Sequence, residues 1–323
     1  MRTANNLLEI EDLQIHYLTD RGVIKAVDGV SLEVNQNESL AIVGESGCGK
    51  STLAHGIFGM LPSNAKIVNG QVIFKGIDLT KSQESLLREI WFKEISIIFQ
   101  ASMNMLNPVM NIEKQIADVI MLHNRKISKN EALYEARKLL ELTGIPKSRG
   151  KDYPHQLSGG QKQRVCIAMA IALKPTLIIA DEPFTALDIV VQNQLIDLLS
   201  KLRQEIKSSL IFITHDINVV GELCDKIAVM YAGQIVEYGK LDKILNLPAH
   251  PYTRMLFDAV PTINGDITEL KYIPGEPPNM ANPPPGCKFH PRCPYTNLEC
   301  KKKEPRLIKI EEEHYLACHL QKV

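Results

Sequence analysis

The sequence predicts an α/β fold built on a buried, mostly parallel sheet, followed by a small irregular C-terminal region. Short apolar strands alternate with helical stretches, and the strands read as continuous apolar runs. Strands of that kind are buried on both faces, the habit of parallel sheets flanked by helices. At 323 residues the chain has room for two units. A change of composition near residue 250 marks where the second is expected.

Ser39 to Val43 is the first apolar strand, and Lys50 to Met60 continues as a helix that stops before Pro62. Gly70 to Phe74 and Glu94 to Phe99 read as further strands, the second ending at Gln100. Ile112 to Asn124 and Lys129 to Leu142 carry helical periodicity. No strand is readable between Ala101 and Ser158, so 101–158 is expected to be a helical insertion. Gln161 to Leu173 is another helix, and strand character returns at Thr176 to Ala180, Leu210 to Thr214 and Lys226 to Tyr231. Beyond His250-Pro251-Tyr252 the texture changes: eight of the 18 prolines lie between Pro274 and Pro294, including Pro283-Pro284-Pro285. Proline fixes φ and removes the amide donor, so an extended linker or an irregular small domain is expected there.

Composition narrows the function classes. Lysine plus arginine equals aspartate plus glutamate at 37 each, which gives no sign of a nucleic-acid binder. The longest apolar run, Val165 to Leu173, has nine residues against the roughly 20 needed to cross a bilayer. The N-terminus has no apolar signal region, and Glu9 and Glu11 come early. A soluble, intracellular protein is expected. Seven cysteines without a secretion signal argue against a disulfide framework.

Two glycine-rich stretches look built to hold phosphate. Gly44-Glu45-Ser46-Gly47-Cys48-Gly49-Lys50-Ser51 matches G-x-x-x-x-G-K-[ST] between a strand and a helix, the context that pattern requires. Its glycines let backbone amides turn toward one point, and the helix start adds unsatisfied N–H groups. Lys50 would reach the β- and γ-phosphates and the Ser51 hydroxyl would ligate magnesium. Downstream, the apolar strand Leu177 to Ala180 ends in Asp181-Glu182. Carboxylates at the carboxyl end of a buried strand suit a magnesium shell at Asp181 and a general base at Glu182. The second stretch, Leu157-Ser158-Gly159-Gly160-Gln161, opens the helix from Gln161 and offers another positive N-terminus.

Together with His215 after the strand Leu210 to Thr214, these motifs resemble, in kind and order, the ATP-binding cassette of ABC transporters. The resemblance covers roughly Leu8 to Leu247. It implies a P-loop NTPase fold: a RecA-like parallel-sheet core, an N-terminal antiparallel β part and a helical subdomain at about 101–158. The ATPase domain is then expected over 1–250, with 251–323 as an extension. By the same resemblance Gly44 to Thr52 binds nucleotide, and Tyr17 stacks on adenine. Gln100 links magnesium and water to a membrane partner, and Ser51, Gln100 and Asp181 are magnesium residues. His215 contacts the γ-phosphate, and Asp188, in Thr185-Ala186-Leu187-Asp188, communicates across a dimer. Ser158, Gly159, Gly160 and Gln161 contact the γ-phosphate held by a second ATPase subunit, so two molecules sandwich two ATPs head to tail.

The segment His250-Pro251-Tyr252-Thr253 and the cysteines beyond it resemble the oligopeptide/dipeptide importer ATPases in particular. That implies a peripheral protein at the cytoplasmic face of the membrane, working with two permease subunits and an extracytoplasmic solute-binding protein. Nickel or another solute stays open as the cargo. A cassette acting without a transporter, at the ribosome or in DNA repair, is the rival class, and an exporter ATPase is a nearer one. Cys287, Cys293, Cys300 and Cys318 read C-x5-C-x6-C-x17-C. Four thiolates can hold zinc or an iron–sulfur cluster, and this spacing does not choose. The resemblance favours a [4Fe-4S] cluster. His290, His314 and His319 are alternative ligands by position.

Overall fold

The computed structural model describes residues 6–20, 22–100, 105–185, 187–259 and 272–320. Several sequence expectations fall partly on other residues: 101–104 of the helical insertion, Ala186, and 260–271 and 321–323 of the extension lie outside the described residues.

In chain order the first half forms β1 (Asn6–Thr19), β2 (Gly22–Asn35), β3 (Ser39–Val43), α1 (Lys50–Phe58), β4 (Ala65–Phe74), β5 (Ile77–Asp78), α2 (Glu84–Ile90) and β6 (Ile95–Ile98). Next come α3 (Ile112–His123), α4 (Lys129–Leu142), α5 (Gly159–Ile171), β7 (Leu177–Asp181), α6 (Ile189–Ile206) and β8 (Ser209–Thr214). The remainder is α7 (Ile217–Leu223), β9 (Lys226–Tyr231), β10 (Gln234–Lys240), α8 (Leu241–Asn246), α9 (Pro251–Asp258), α10 (Leu298–Lys302), β11 (Ile308–Glu311) and β12 (His314–Leu316). Two compact units result, Met1–Lys81 with Ile213–Val323, and Ser82–Phe212, the division falling within β8.

The first unit holds two sets of strands. The antiparallel part expected at the N-terminus is the sheet β2-β1-β4-β5. The other set runs β11-β12-β10-β9-β3, and β3 is buried along its whole length. β9 lies parallel to β3, but β10, β12 and β11 add antiparallel, so the arrangement is mixed where a mostly parallel one was expected. The reason lies in two tight loops. Ala232 and Gly233 (φ 47° and 82°) join β9 to β10, and positive φ at both residues of a two-residue loop folds the strands into a hairpin. Glu313 (φ 53°) has the same role before β12.

The cysteine-bearing residues therefore do not close into a compact unit of their own. β12 pairs with β10 through Glu237↔Leu316, Tyr238↔Tyr315 and Gly239↔His314. Behind that ladder Glu237 is fully buried. Its carboxylate accepts from His314 Nε2 at 2.8 Å and from the backbone amides of Ala249 (2.8 Å) and His250 (2.9 Å). A buried carboxylate demands such partners, and here they come from two separate stretches of chain.

The second unit carries the predicted helical insertion. Ile112, Ile116 and Ile120 of α3, Ala132, Ala136 and Leu140 of α4, and Val165 and Ala168 of α5 form one apolar cluster. Their spacing of three or four residues puts each set on one helix face. Ser128 and Glu131 build a capping box that starts α4, and Asn111 caps α3. In the same unit β6 and β7 pair in parallel, with β7 and β8 buried throughout. Among the described residues no helix is long and apolar enough to cross a membrane.

His250 caps α9, its Nδ1 accepting from the Tyr252 amide at 3.0 Å. Burial pushes its pKa from 6.5 down to about 3, so the ring is neutral when folded. Unfolding exposes a site that takes up a proton below pH 6.5, so this contribution to stability is complete above that pH. It should fall as pH drops from 6.5 toward 3. Urea titrations across that range should show the decline, and His250→Asn, which keeps a capping acceptor but cannot titrate, should show a shallower one.

Candidate functional site

The phosphate loop takes the shape its glycines permit. Gly44, Gly47 and Gly49 all have positive φ (154°, 78° and 108°). Two of them have no room for a side chain: a Cβ on Gly44 would lie 2.1 Å from the Met230 carbonyl oxygen, and one on Gly49 would lie 2.1 Å from that of Ala26. Gly49 is the residue before α1, so the turn delivers the chain directly into a helix N-terminus. There the free N–H groups and the helix dipole favour an anion.

Lys50 is buried to 5% exposure and curls back over the loop. Its ammonium donates to the carbonyls of Gly44 at 2.8 Å and Glu45 at 3.0 Å. Cys48 points into the interior, where burial pushes its thiol pKa up while Lys50 pulls against the shift. A neutral thiol results, in keeping with a small side chain facing away from phosphate. On the neighbouring sheet the hydroxyl of Tyr17 stands 3.3 Å from Thr52 Oγ1, which ties that ring to the first turn of α1. Tyr17 is half-buried. His215 is exposed just after β8, and Asp216, not His215, caps α7 by accepting from the Asn218 amide.

Within the second unit, Gln100 and Glu182 come together although 82 residues separate them: Gln100 Nε2 donates to Glu182 Oε2 at 3.0 Å. Asp181 ends β7 at 1% exposure, and Glu182 follows in left-handed backbone (φ 43°). That conformation is costly for a non-glycine residue and concentrates at functional sites. Thr185 steadies it, its hydroxyl donating to the Glu182 carbonyl at 2.9 Å.

The second glycine stretch starts α5 as a closed capping box. The Gln161 amide donates to Ser158 Oγ (3.4 Å), and Gln161 Oε1 accepts from the Ser158 amide (3.1 Å). Gly160 has a packing reason as well, since a Cβ there would meet Val191 Cγ1 at 2.6 Å. Asp188 caps α6, accepting from the Val191 amide at 3.0 Å. Gly160 and Asp188 thus both bear on the first turn of α6.

Cys287, Cys293, Cys300 and Cys318 draw together in the first unit. Burial pushes the Cys287 thiol up to about 11, with Cys318, Cys300 and Cys293 adding to the shift. Burial also raises Cys293 and Cys318. All four thiols are thus within electrostatic reach of one another. Among the described residues, though, no three His, Cys, Asp or Glu side chains are close enough to hold a metal ion. The nearby histidines are turned elsewhere. His290 Nδ1 meets the Cys287 carbonyl (2.9 Å), His314 meets Glu237, and His319 Nε2 meets the Lys303 carbonyl (2.8 Å).

Sequence reasoning missed what stands behind the phosphate loop. The Glu45 amide donates to the Tyr252 hydroxyl at 2.9 Å, and the Glu45 carboxylate receives the Arg292 guanidinium at 2.7 and 3.0 Å. These partners lie more than 200 residues downstream, and no local pattern announces them.

Comparison with known proteins agrees with this geometry. Residues 27–185 match the ABC transporter family, and residues 236–300 match the oligopeptide/dipeptide transporter C-terminal region. The dipeptide transport ATP-binding protein DppD of Caldanaerobacter subterraneus is 44% identical over 97% of this chain and 97% of its own. The oligopeptide transport ATP-binding protein OppD of Bacillus subtilis is 44% identical over 99% of this chain and 90% of its own. Among solved structures, a dimeric ATP-binding cassette in a post-hydrolysis state with ADP and phosphate has a TM-score of 0.66 at 29% identity. It covers 72% of this chain and 98% of its own.

Lys50→Ala should abolish ATP binding in a fluorescent-nucleotide titration, because the phosphates lose their lysine. Glu182→Gln should retain binding while steady-state ATP turnover falls by roughly a hundredfold or more, the usual contribution of a general base. Unchanged turnover would remove Glu182 from that role.

Proposed function

Because this chain belongs to the ABC transporter ATP-binding family, in the branch with the oligopeptide/dipeptide C-terminal region, we propose that it is the ATP-hydrolysing subunit of a dipeptide or oligopeptide importer. The observation that carries this reading is the near end-to-end match to peptide-transport ATPases, which takes in the C-terminal region as well as the cassette. The ATPase function is assigned to 1–250 and the cysteine-bearing extension to 251–323.

In the working cycle the amides of Gly44 to Ser51 and the Lys50 ammonium bind the nucleotide phosphates, with Tyr17 against the base. Ser51 and Asp181 are the magnesium residues. Glu182, held by Gln100, polarises the attacking water, and His215 reads the γ-phosphate. Ser158 to Gln161 completes the site of a second ATPase subunit, with Asp188 beside it. Contacts that exist only with the γ-phosphate close such a dimer, and hydrolysis releases it. Chemistry is in this way converted to movement of two permease subunits, fed by an extracytoplasmic solute-binding protein. Met105 and Val109, 62% and 82% exposed shortly after Gln100, are apolar side chains suited to meet a membrane subunit at the cytoplasmic face.

Cys287, Cys293, Cys300 and Cys318 are the proposed ligands of a [4Fe-4S] cluster. A single zinc draws its sulfurs to about 2.3 Å from one point. The support for one shared group is that Cys318, Cys300 and Cys293 all bear electrostatically on Cys287. Such a group would cross-link the stretch from 287 to 300 with the strand end at 318, supplying stability that this proline-rich segment lacks in apolar core.

Protein tagged and extracted from membranes should retain a permease pair, and its ATP turnover should rise with peptide-loaded binding protein. Ribosomes or DNA in its place would overturn the transport assignment. Anaerobically purified protein should absorb broadly near 400 nm, and Cys293→Ser should lose that band. A colourless preparation with stoichiometric zinc would decide for the other metal.

A further inference from the structure

The segment between the first two tail cysteines does more than connect them. Of its five residues, Lys288, Phe289 and Arg292 are buried, at 5%, 1% and 8% exposure. Each reaches into the ground behind the phosphate loop. The Lys288 ammonium donates to Asp28 at 2.7 Å and to the Ala232 carbonyl at 3.0 Å. The Phe289 ring packs against Tyr231 and Tyr252, with centroids 5.2 and 5.4 Å away.

Arg292 makes the direct contact. It grips both carboxylate oxygens of Glu45, the second residue of the loop. Its other donors go to the Pro274 carbonyl (2.8 Å), the Ile273 carbonyl (3.4 Å) and the Tyr231 hydroxyl (3.4 Å). All five N–H groups of the guanidinium therefore have acceptors. Glu45 in turn is fixed at three points: its carboxylate by Arg292, its amide by Tyr252, and its carbonyl by Lys50. Bidentate pairing of this kind fixes orientation as well as distance.

We propose that Lys288 to Arg292 form a clasp on the phosphate loop, with Arg292 as a positioning residue that sets the loop's affinity for ATP through Glu45. The clasp rests on the reading of Gly44 to Ser51 as the ATP loop. It places the cysteine segment and the nucleotide on two sides of one loop, so each senses the other. Linkage makes this reciprocal: if the clasp raises ATP affinity, bound ATP must tighten the clasp by the same factor.

Full-length protein titrated with a non-hydrolysable ATP analogue tests this. Arg292→Gln and Arg292→Lys should weaken binding, the Gln variant by about tenfold or more and the Lys variant by less, since lysine keeps the charge and loses the fork. The KM for ATP should rise while kcat at saturation changes little, the pattern of lost binding rather than lost chemistry. Combining Arg292→Gln with Glu45→Gln should add little to the weaker of the two single variants, because the effect runs through that pair. The wild-type protein supplies a check that needs no variant: saturating analogue should slow amide hydrogen exchange across 286–293.

Unchanged exchange there, or Arg292 variants that bind as the wild type does, would overturn the clasp and leave the ATP loop standing. A wild-type protein that binds no analogue would overturn the loop assignment itself.

Discussion

Backbone against backbone is the contact from which this molecule's nucleotide chemistry is built. The phosphate loop passes so near the carbonyls of Met230 and Ala26 that glycine alone fits at 44 and 49. Those two positions fix the path of the chain into α1, and with it the direction of the helix's free amides and the reach of Lys50. The walls are the end of β9 and the strand β2, each held in its own sheet. A phosphate cradle has to exist before its ligand arrives, and crowding of this sort keeps it open without spending side chains on the task. Glu45, the loop residue that follows Gly44, is the one that the distant tail and α9 take hold of.

A comparable economy governs the helical layer. Ser158 spends its hydroxyl on starting α5, and Asp188 spends its carboxylate on starting α6. Gly160 lets α5 approach Val191 in the first turn of α6. Residues assigned to meet a partner subunit are in this way also the residues that place their own helices. The apolar faces of α3, α4 and α5 make a core of their own, so the start of α5 is carried on a packed body. Glu182 departs from this pattern. Its left-handed backbone is a local cost, offset by the hydroxyl of Thr185 and the amide of Gln100.

What could be read from the sequence was whatever the local chain decides. The strands at Ser39–Val43 and Leu177–Asp181 announced themselves by unbroken apolar runs, and both are wholly buried. Helices at Ile112–His123 and Lys129–Leu142 followed from periodicity, sharpened by Asn111 and Ser128 as caps. The long strands β1 and β2 were harder, because bulges at several points break their alternation and blur the period-two signal. β10 hid behind Ala232-Gly233, a turn whose first residue is not the expected asparagine or aspartate. The glycines with Lys50, and Asp181 with Glu182, could be singled out because each set sits in a contiguous motif. Arg292 and Tyr252 were not, for a bond spanning 247 or 207 residues leaves no trace in either neighbourhood.

The buried carboxylate of Glu237 bears on how such a chain can change over time. It draws on His314 from the far end of the protein and on the amides of Ala249 and His250 from the approach to α9. A gene shortened before that histidine would leave a charge in the interior with one partner gone, and β10 without its outer neighbour. Loss of that C-terminal strand would therefore cost more than the cysteine beside it: a buried glutamate would lose its imidazole partner as well.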